Sequence, residues 1–325
     1  MNLEVPMALQ RFAIATALAT FCLLIAGGLV STTESGLACP DWPLCEGQYF
    51  PRMIDGKQFE HTHRLVAGAV ALMTFALCAM LWKKRRSDRA LVMLGTLAAA
   101  LVVVQALLGA LTVKLALPAW VSSTHQATAM AFFCLIVTLA FLARQRTPAT
   151  SPAPAVPDPT RAALARWIAW VWGLTYVQMV VGAVMRHTRG GLACGYDFPL
   201  CLGSWWPLEA HLGIQAHLIH RWSGMLVGLA VLLLAFIVWR RSPQSSALRA
   251  LAITAAAGVL CQLGLGIAVI YSSRDLVVMT LHSSLGAALL ANLVALYWVA
   301  NPSRQQDSKE LLSSGNASAP TWGVA

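Results

Sequence analysis

Eight stretches of about 20 mostly apolar residues run through this chain, at about 9–31, 62–82, 90–113, 120–143, 166–186, 217–239, 247–271 and 276–299. A helix rises ~1.5 Å per residue, so each stretch is long enough to cross ~30 Å of hydrocarbon. The pattern predicts an all-α membrane protein with eight transmembrane helices. Composition agrees: 58% of residues are hydrophobic and 11% charged, against roughly 25% charged in soluble domains. The first stretch could pass for a signal peptide, but it is full length and has a repeat partner later in the chain, so it is read as a span.

The net charge of +10 would suggest nucleic acid if the cations formed one patch. Instead they lie in short runs between spans, so nucleic acid is not an expected partner. Placing the N-terminus in the cytoplasm puts fifteen of the 23 Lys and Arg inside and eight outside. The positive-inside rule then predicts cytoplasmic termini in a bacterial inner membrane. The loops that carry Cys39, Cys45, Cys194 and Cys201 would face the oxidising side.

The spans form two copies of one unit. Gly36-Leu-Ala-Cys39, Trp42-Pro-Leu-Cys45 and His63-Arg64 return as Gly191-Leu-Ala-Cys194, Phe198-Pro-Leu-Cys201 and His220-Arg221. His63 and His220, His125 and His282, and Gln105 and Gln262 are each 157 residues apart, and Gly109 likewise matches Gly266. A constant offset over such a length marks an internal repeat. Four spans per copy give both copies one orientation, so the expected architecture is two tandem four-helix bundles related by pseudo-two-fold symmetry about the membrane normal. The expected boundaries are 1–146 for the first half, 147–160 for a Pro/Ala-rich cytoplasmic linker, 161–301 for the second half and 302–325 for a disordered cytoplasmic tail.

His63, His125, His220 and His282 each lie near the start of an even-numbered span, and so at similar depth. A single membrane histidine is readily explained by a hydrogen bond to a neighbouring helix. A matched pair that occurs twice points further, because polar groups at membrane depth are costly and tend to mark function. Two histidines are too few for a zinc site, whereas a heme iron has two axial positions and takes histidine. Bis-histidine heme is the simplest account. Arg64 and Arg221 follow a histidine in both copies; they suit heme propionates and equally suit arginines reaching to the interface. Glu60 stands three residues before His63, where the second copy has His217. Residues three apart share a helix face, so Glu60 either serves chemistry beside His63 or is a solvated charge at the loop end. The first reading would make one half catalytic and leave the other holding a permanent cofactor.

Of the eight cysteines, Cys22, Cys78, Cys134 and Cys261 fall in spans and read as packing residues. Cys39–Cys45 and Cys194–Cys201 should form disulfides on the oxidising side, as staples or as a thiol–disulfide couple. No histidine completes a tight Cys/His set in these loops, so a metal is less expected there than a disulfide.

Together, Glu34-Ser-Gly-Leu-Ala-Cys-Pro-Asp-Trp-Pro-Leu-Cys45, Glu60-His-Thr-His-Arg64, His125, His217-Leu-Ile-His-Arg221 and His282 resemble the heme A synthase family, over essentially all eight spans. That resemblance implies an oxidoreductase that converts heme O to heme A by successive hydroxylations of a porphyrin methyl group to a formyl group, with the product passing to cytochrome oxidase. It implies His63 and His125 as ligands of the substrate heme, Glu60 as the catalytic carboxylate, and His220 and His282 as ligands of a heme b. It matches Cys39 and Cys45 to the family's outer-loop pair. It makes heme O synthase and cytochrome oxidase assembly factors candidate partners and allows a homo-oligomer. The departures are the second cysteine pair, His61, and His217 at the Glu60 position. Rival readings are a di-heme b-type electron carrier, a heme transporter or chaperone, and a membrane thiol–disulfide oxidoreductase.

Overall fold

The computed structural model describes residues 7–85, 88–145, 159–207 and 211–301. Nearly all of the expected linker, 147–158, and the whole tail, 302–325, lie outside the described residues; 159–160 already belong to a helix.

Eight helices follow one another: α1 Met7–Thr32, α2 Lys57–Lys84, α3 Arg89–Lys114, α4 Ala119–Gln145, α5 Pro159–His187, α6 Leu212–Arg241, α7 Ser246–Tyr271 and α8 Leu276–Ala300. All eight are long and apolar enough to cross a membrane, and the chain is a multi-pass membrane protein. Several begin before their apolar stretch does. α2 starts at Lys57 and α6 at Leu212, each about a turn earlier than hydropathy suggests. Hydropathy marks the part of a helix that lipid surrounds, whereas the backbone ladder runs on into polar residues. This extension puts Glu60 and His61 on a helix rather than in a loop.

The ends are set by local chemistry. The Asp88 carboxylate accepts from the Leu91 N–H, and Ser245 Oγ, at the matching place in the second copy, accepts from Leu248 N–H. Asp275 caps α8 through the N–H groups of Val277 and Val278. Pro159 stands at the first helical position of α5, where its missing N–H costs nothing. Gly56 precedes α2 with φ 86°, and a Cβ there would come within 2.9 Å of Ser35 Cβ, so glycine alone fits the entry.

α1 packs on α2 and α4, and α3 closes the ring by packing on α2 and α4. In the second half α5 packs on α6 and α8, and α7 on α6 and α8. Leu77, Leu81, Ile136 and Leu139 centre the first ring, and Ile168, Leu248, Leu293 and Leu296 the second. The halves meet through α1, α4, α5 and α8, where Phe133 and Val137 of α4 lie against Leu290 and Val294 of α8. Large apolar residues such as Leu72, Trp170 and Leu226 point outward, as lipid-facing surface requires. Cys134 is buried in the seam, but Cys22 and Cys261 face outward instead of packing inside.

Candidate functional site

Each of the four repeated histidines sits opposite a glycine on a neighbouring helix. His63 on α2 faces Gly27 on α1, His220 on α6 faces Gly182 on α5, His125 on α4 faces Gly109 on α3, and His282 on α8 faces Gly266 on α7. A Cβ at Gly27 or Gly182 would come within 3.0 or 2.9 Å of the ring's Cε1; at Gly266 and Gly109 the distances are 3.2 and 3.5 Å. These glycines make room for rings on the inner face of each bundle. Gly109 and Gly266 were visible as repeat matches; Gly27 and Gly182 were not singled out, because glycine is common in apolar spans.

The rings differ in what holds them. The Gln178 amide donates to His220 Nδ1 at 3.0 Å and to the His220 carbonyl at 2.8 Å, while its own oxygen accepts from the Ser223 hydroxyl at 2.5 Å. Gln262 approaches His282 Nε2 at 3.5 Å. Gln105, with its amide turned so that both ends are satisfied, donates to His125 Nδ1 at 3.2 Å and faces the Thr128 hydroxyl with its oxygen. His63 has no such partner: its Nδ1 is buried and unbonded. Leu23 and Val66, in the first-half core, stand where the second half has Gln178 and Ser223.

His220 and His282 lie with ring centroids 6.5 Å apart, at 81°. Two metal–nitrogen bonds of roughly 2 Å, the length usual for imidazole on a metal, would put two imidazole centroids about this far apart. Nδ1 of His282 is also buried without a partner. In the second half the two imidazoles, seated on glycine at this separation, fit the two axial positions of a heme iron; in the first, His63 and His125 are seated on glycine likewise.

Glu60 is 3% exposed, so it is not the solvated loop-end charge that the sequence left open. One carboxylate oxygen accepts from the Cys39 N–H at 2.8 Å, and the other pairs with Arg64 Nη2 at 2.5 Å. Arg64 also donates to the carbonyls of Asp41, Leu44 and Cys39. Together these two side chains hold the cysteine loop down on α2, and both Nη atoms of Arg64 are engaged within it. In the second half Arg221 repeats half of this latch, donating to the carbonyls of Asp197 and Leu200. With His217 in place of an acid, the Nε and Nη2 atoms of Arg221 are buried and unbonded. His217 turns instead to the Gly190 carbonyl. In the first loop Asp41 accepts from the N–H groups of Glu46 and Gly47, and the Gly47 N–H above all holds its carboxyl below the usual carboxylate range.

Cys39–Cys45 and Cys194–Cys201 are both bonded, with Cα–Cα distances of 4.7 Å. The structure corrects one expectation here. A histidine does reach the first pair: a ring nitrogen of His61, from the first turn of α2, lies within 4.8 Å of both sulfur positions. Loop sequence alone hid this because His61 belongs to the helix on which the loop folds back.

Comparison with known proteins shows the family. The family model for COX15-CtaA, described as cytochrome oxidase assembly protein, matches residues 10–61 and 55–294. A heme A synthase of Halalkalibacterium halodurans is 31% identical over 292 residues, 88% of this chain and 94% of the relative. Another, of Shouchella clausii, is 30% identical over the same shares, and one of Bacillus licheniformis is 29% identical over 83% of this chain and 88% of its own. The chain belongs to the COX15-CtaA family of cytochrome oxidase assembly proteins.

Proposed function

We propose that this protein is a heme A synthase, oxidising the methyl group of heme O to a formyl group and yielding heme A for cytochrome oxidase. In this reading His63 and His125 hold the substrate in the first half, and His220 and His282 hold a heme b in the second. The observation that carries the assignment is the unequal support of the matched histidines. His220 is fixed from behind by Gln178 and Ser223, as suits a cofactor that stays. His63 rests among Leu23 and Val66 with no side-chain partner, its ring meeting only the Leu23 backbone, as suits a ligand that must take up one porphyrin and release another.

Heme b bound at His220 and His282 would supply one-electron transfer to and from the first half. The protein's own groups do the rest. His63 and His125 orient the substrate. Glu60, one helical turn before His63, sets an acceptor at the outer end of the bundle, and Arg64 balances its charge. Glu60 is assigned to accept protons released at the substrate's methyl group, with Arg64 and the Cys39 N–H holding its carboxylate in position. The unbonded Nε and Nη2 of Arg221 present the two-pronged edge that suits a carboxylate, so Arg221 is assigned to a heme b propionate. Arg64, already bonded to Glu60 and three carbonyls, acts on the first site through the loop.

The excess of Lys and Arg on one side supports an inner-membrane protein with both termini in the cytoplasm. Heme O synthase as donor and oxidase assembly factors as recipients fit the same reading. The test is acid–acetone extraction of hemes from the purified protein after expression with a heme O synthase. Heme B with heme O and heme A, and no heme A in His63→Ala, is the expected result. Two equivalents of heme B, unaffected by the supply of heme O, would overturn the assignment in favour of a di-heme electron carrier.

A further inference from the structure

The repeat supplies an internal control for the first disulfide. His61 and Leu218 occupy matching positions, 157 residues apart. In the second half Leu218 packs on Cys194 and Cys201 with Ile214 and Trp222, an apolar nest with nothing to offer a cation. In the first half a buried imidazole takes the place of that leucine, and Cys39, Cys45 and His61 bring their ligand atoms within 4.8 Å of one another. All three residues are at most 3% exposed.

His61 is set as a ligand would be. Its Nε2 lies 2.8 Å from the Tyr49 carbonyl; a carbonyl only accepts, so Nε2 carries the hydrogen. The neutral ring then has its lone pair on Nδ1, which is buried and has no partner. A second-sphere carbonyl that fixes the tautomer and leaves the other nitrogen bare is the usual support of a metal-bound histidine. The loop is also held by more than its S–S bond. Cys39 is tied at both backbone atoms, its N–H to Glu60 and its carbonyl to Arg64. Cys45 exchanges two backbone hydrogen bonds with Gln48. Opening the disulfide would leave both sulfurs next to His61.

We propose that the dithiol form of Cys39 and Cys45, with His61, is a binding site for a thiophilic d10 cation, univalent copper in the first instance. The disulfide takes two electrons and two protons from an external dithiol, which leaves as its own disulfide. The cation then displaces the two thiol protons to give a two-sulfur, one-nitrogen site. Thiolates favour soft cations, and univalent copper is satisfied by three such ligands where zinc would need a water as its fourth. This inference does not rest on the assignment of the hemes.

The test uses the full-length protein in detergent, opened with a phosphine reductant that is removed by anaerobic desalting before copper is added. Univalent copper is titrated against a chromogenic chelator, with bound copper counted by elemental analysis. The parent should bind one equivalent tightly. His61→Leu, which copies the second half and keeps all four loop cysteines, should weaken that site at least tenfold, the order that even outer partners of a metal ligand contribute. Leu218→His should install a second tight equivalent, an outcome that no loss of folding can imitate. If His61→Leu binds as the parent does, or both dithiols bind alike in the parent, copper is held by any reduced cysteine pair and the proposal fails.

Discussion

Replacing Glu60 by Gln separates two roles for this residue, as latch and as catalytic group. The carboxylate accepts two buried hydrogen bonds, from the Cys39 N–H and from Arg64 Nη2. A glutamine oxygen can keep the first, but its NH2 then faces a guanidinium N–H, donor against donor. Hydrogen bonds to charged groups contribute about 1.5–3 kcal/mol each, and stripping one partner from a buried pair costs about 3–5 kcal/mol when the remaining charge is stranded. Arg64 is not stranded, because three carbonyls still accept from it. The second half shows that the loop closes without an acid: Arg221 is held by two carbonyls alone. Glu60→Gln should therefore cost about 2–3 kcal/mol, toward the lower end. The assay is a double-mutant cycle of Glu60→Gln with Arg64→Met, followed by unfolding in mixed micelles. The two single changes should sum to well above the double change, with a coupling energy of about 1–3 kcal/mol. Additive changes would refute the latch. If Arg64→Met weakens the loop equally but leaves heme A formation running while Glu60→Gln stops it, Glu60 acts in the chemistry as well.

Gly182→Ala and Gly27→Ala drive a Cβ to within 2.9 and 3.0 Å of His220 and His63. Overpacking of this kind costs about 1–3 kcal/mol, so each should lower retention of its own half's heme about tenfold, whereas Gly109→Ala, at 3.5 Å from His125, should be tolerated; heme content after purification gives the result, and equal behaviour of the three would count against the seats. Gln178→Leu should loosen the His220 ring and lower retention of heme b on detergent washing by several-fold, without changing first-half ligation; an unchanged reduced spectrum and content would remove Gln178 from the site. Asp41 has a depressed carboxyl pKa because of the Gly47 and Glu46 N–H groups. Its contribution is thus present above the ordinary carboxylate value, roughly pH 4, and is lost as pH falls through the lower folded value. The protection of the Glu46 and Gly47 amides against hydrogen exchange, measured relative to the free peptide, should fall in that acid range, and Asp41→Asn, if it leaves the profile unchanged, would show that another group controls it.

Much of the architecture was legible in residue order alone. Eight helices follow from apolar length, and the repeat follows from a single offset shared by histidines and glutamines. What sequence misplaced lies at the helix starts. Hydropathy cannot see that α2 begins at Lys57, because Glu60 and His61 look like loop residues to any apolar window. With the start misplaced, His61 seemed to belong to no cysteine set, although a ring nitrogen lies within 4.8 Å of both sulfurs. The role of Arg64 was likewise hidden: its position one residue after a histidine says nothing of the three loop carbonyls that return to it from Cys39, Asp41 and Leu44. Such contacts depend on how a loop folds back, for which sequence periodicity has no signal. The repeat match of Gln105 and Gln262 was visible, but only the fold shows that both amides serve histidines.

The differences between the halves come in matched sets, and this is the strongest sign that they carry function. A lone glutamine at position 23 would bury an amide oxygen with no donor among Leu and Val, at a cost of about 1–3 kcal/mol. The second half avoids this cost because Gln178 occurs together with Ser223, whose hydroxyl donates to it; the first half avoids it because Leu23 occurs together with Val66. The two positions sit on different helices, α5 and α6 or α1 and α2, so no local rule of helix formation couples them. The same holds at the outer end. Glu60 occurs with an Arg64 that uses it, and His61 with a Tyr49 carbonyl that orients it. The second half lacks both groups, and there the arginine edge is left free and the disulfide is wrapped in apolar side chains. Two bundles under selection only to fold could exchange these sets freely. A polar set behind one histidine, and an acid with an imidazole before the other, are what the proposed division between a half that holds and a half that reacts would require.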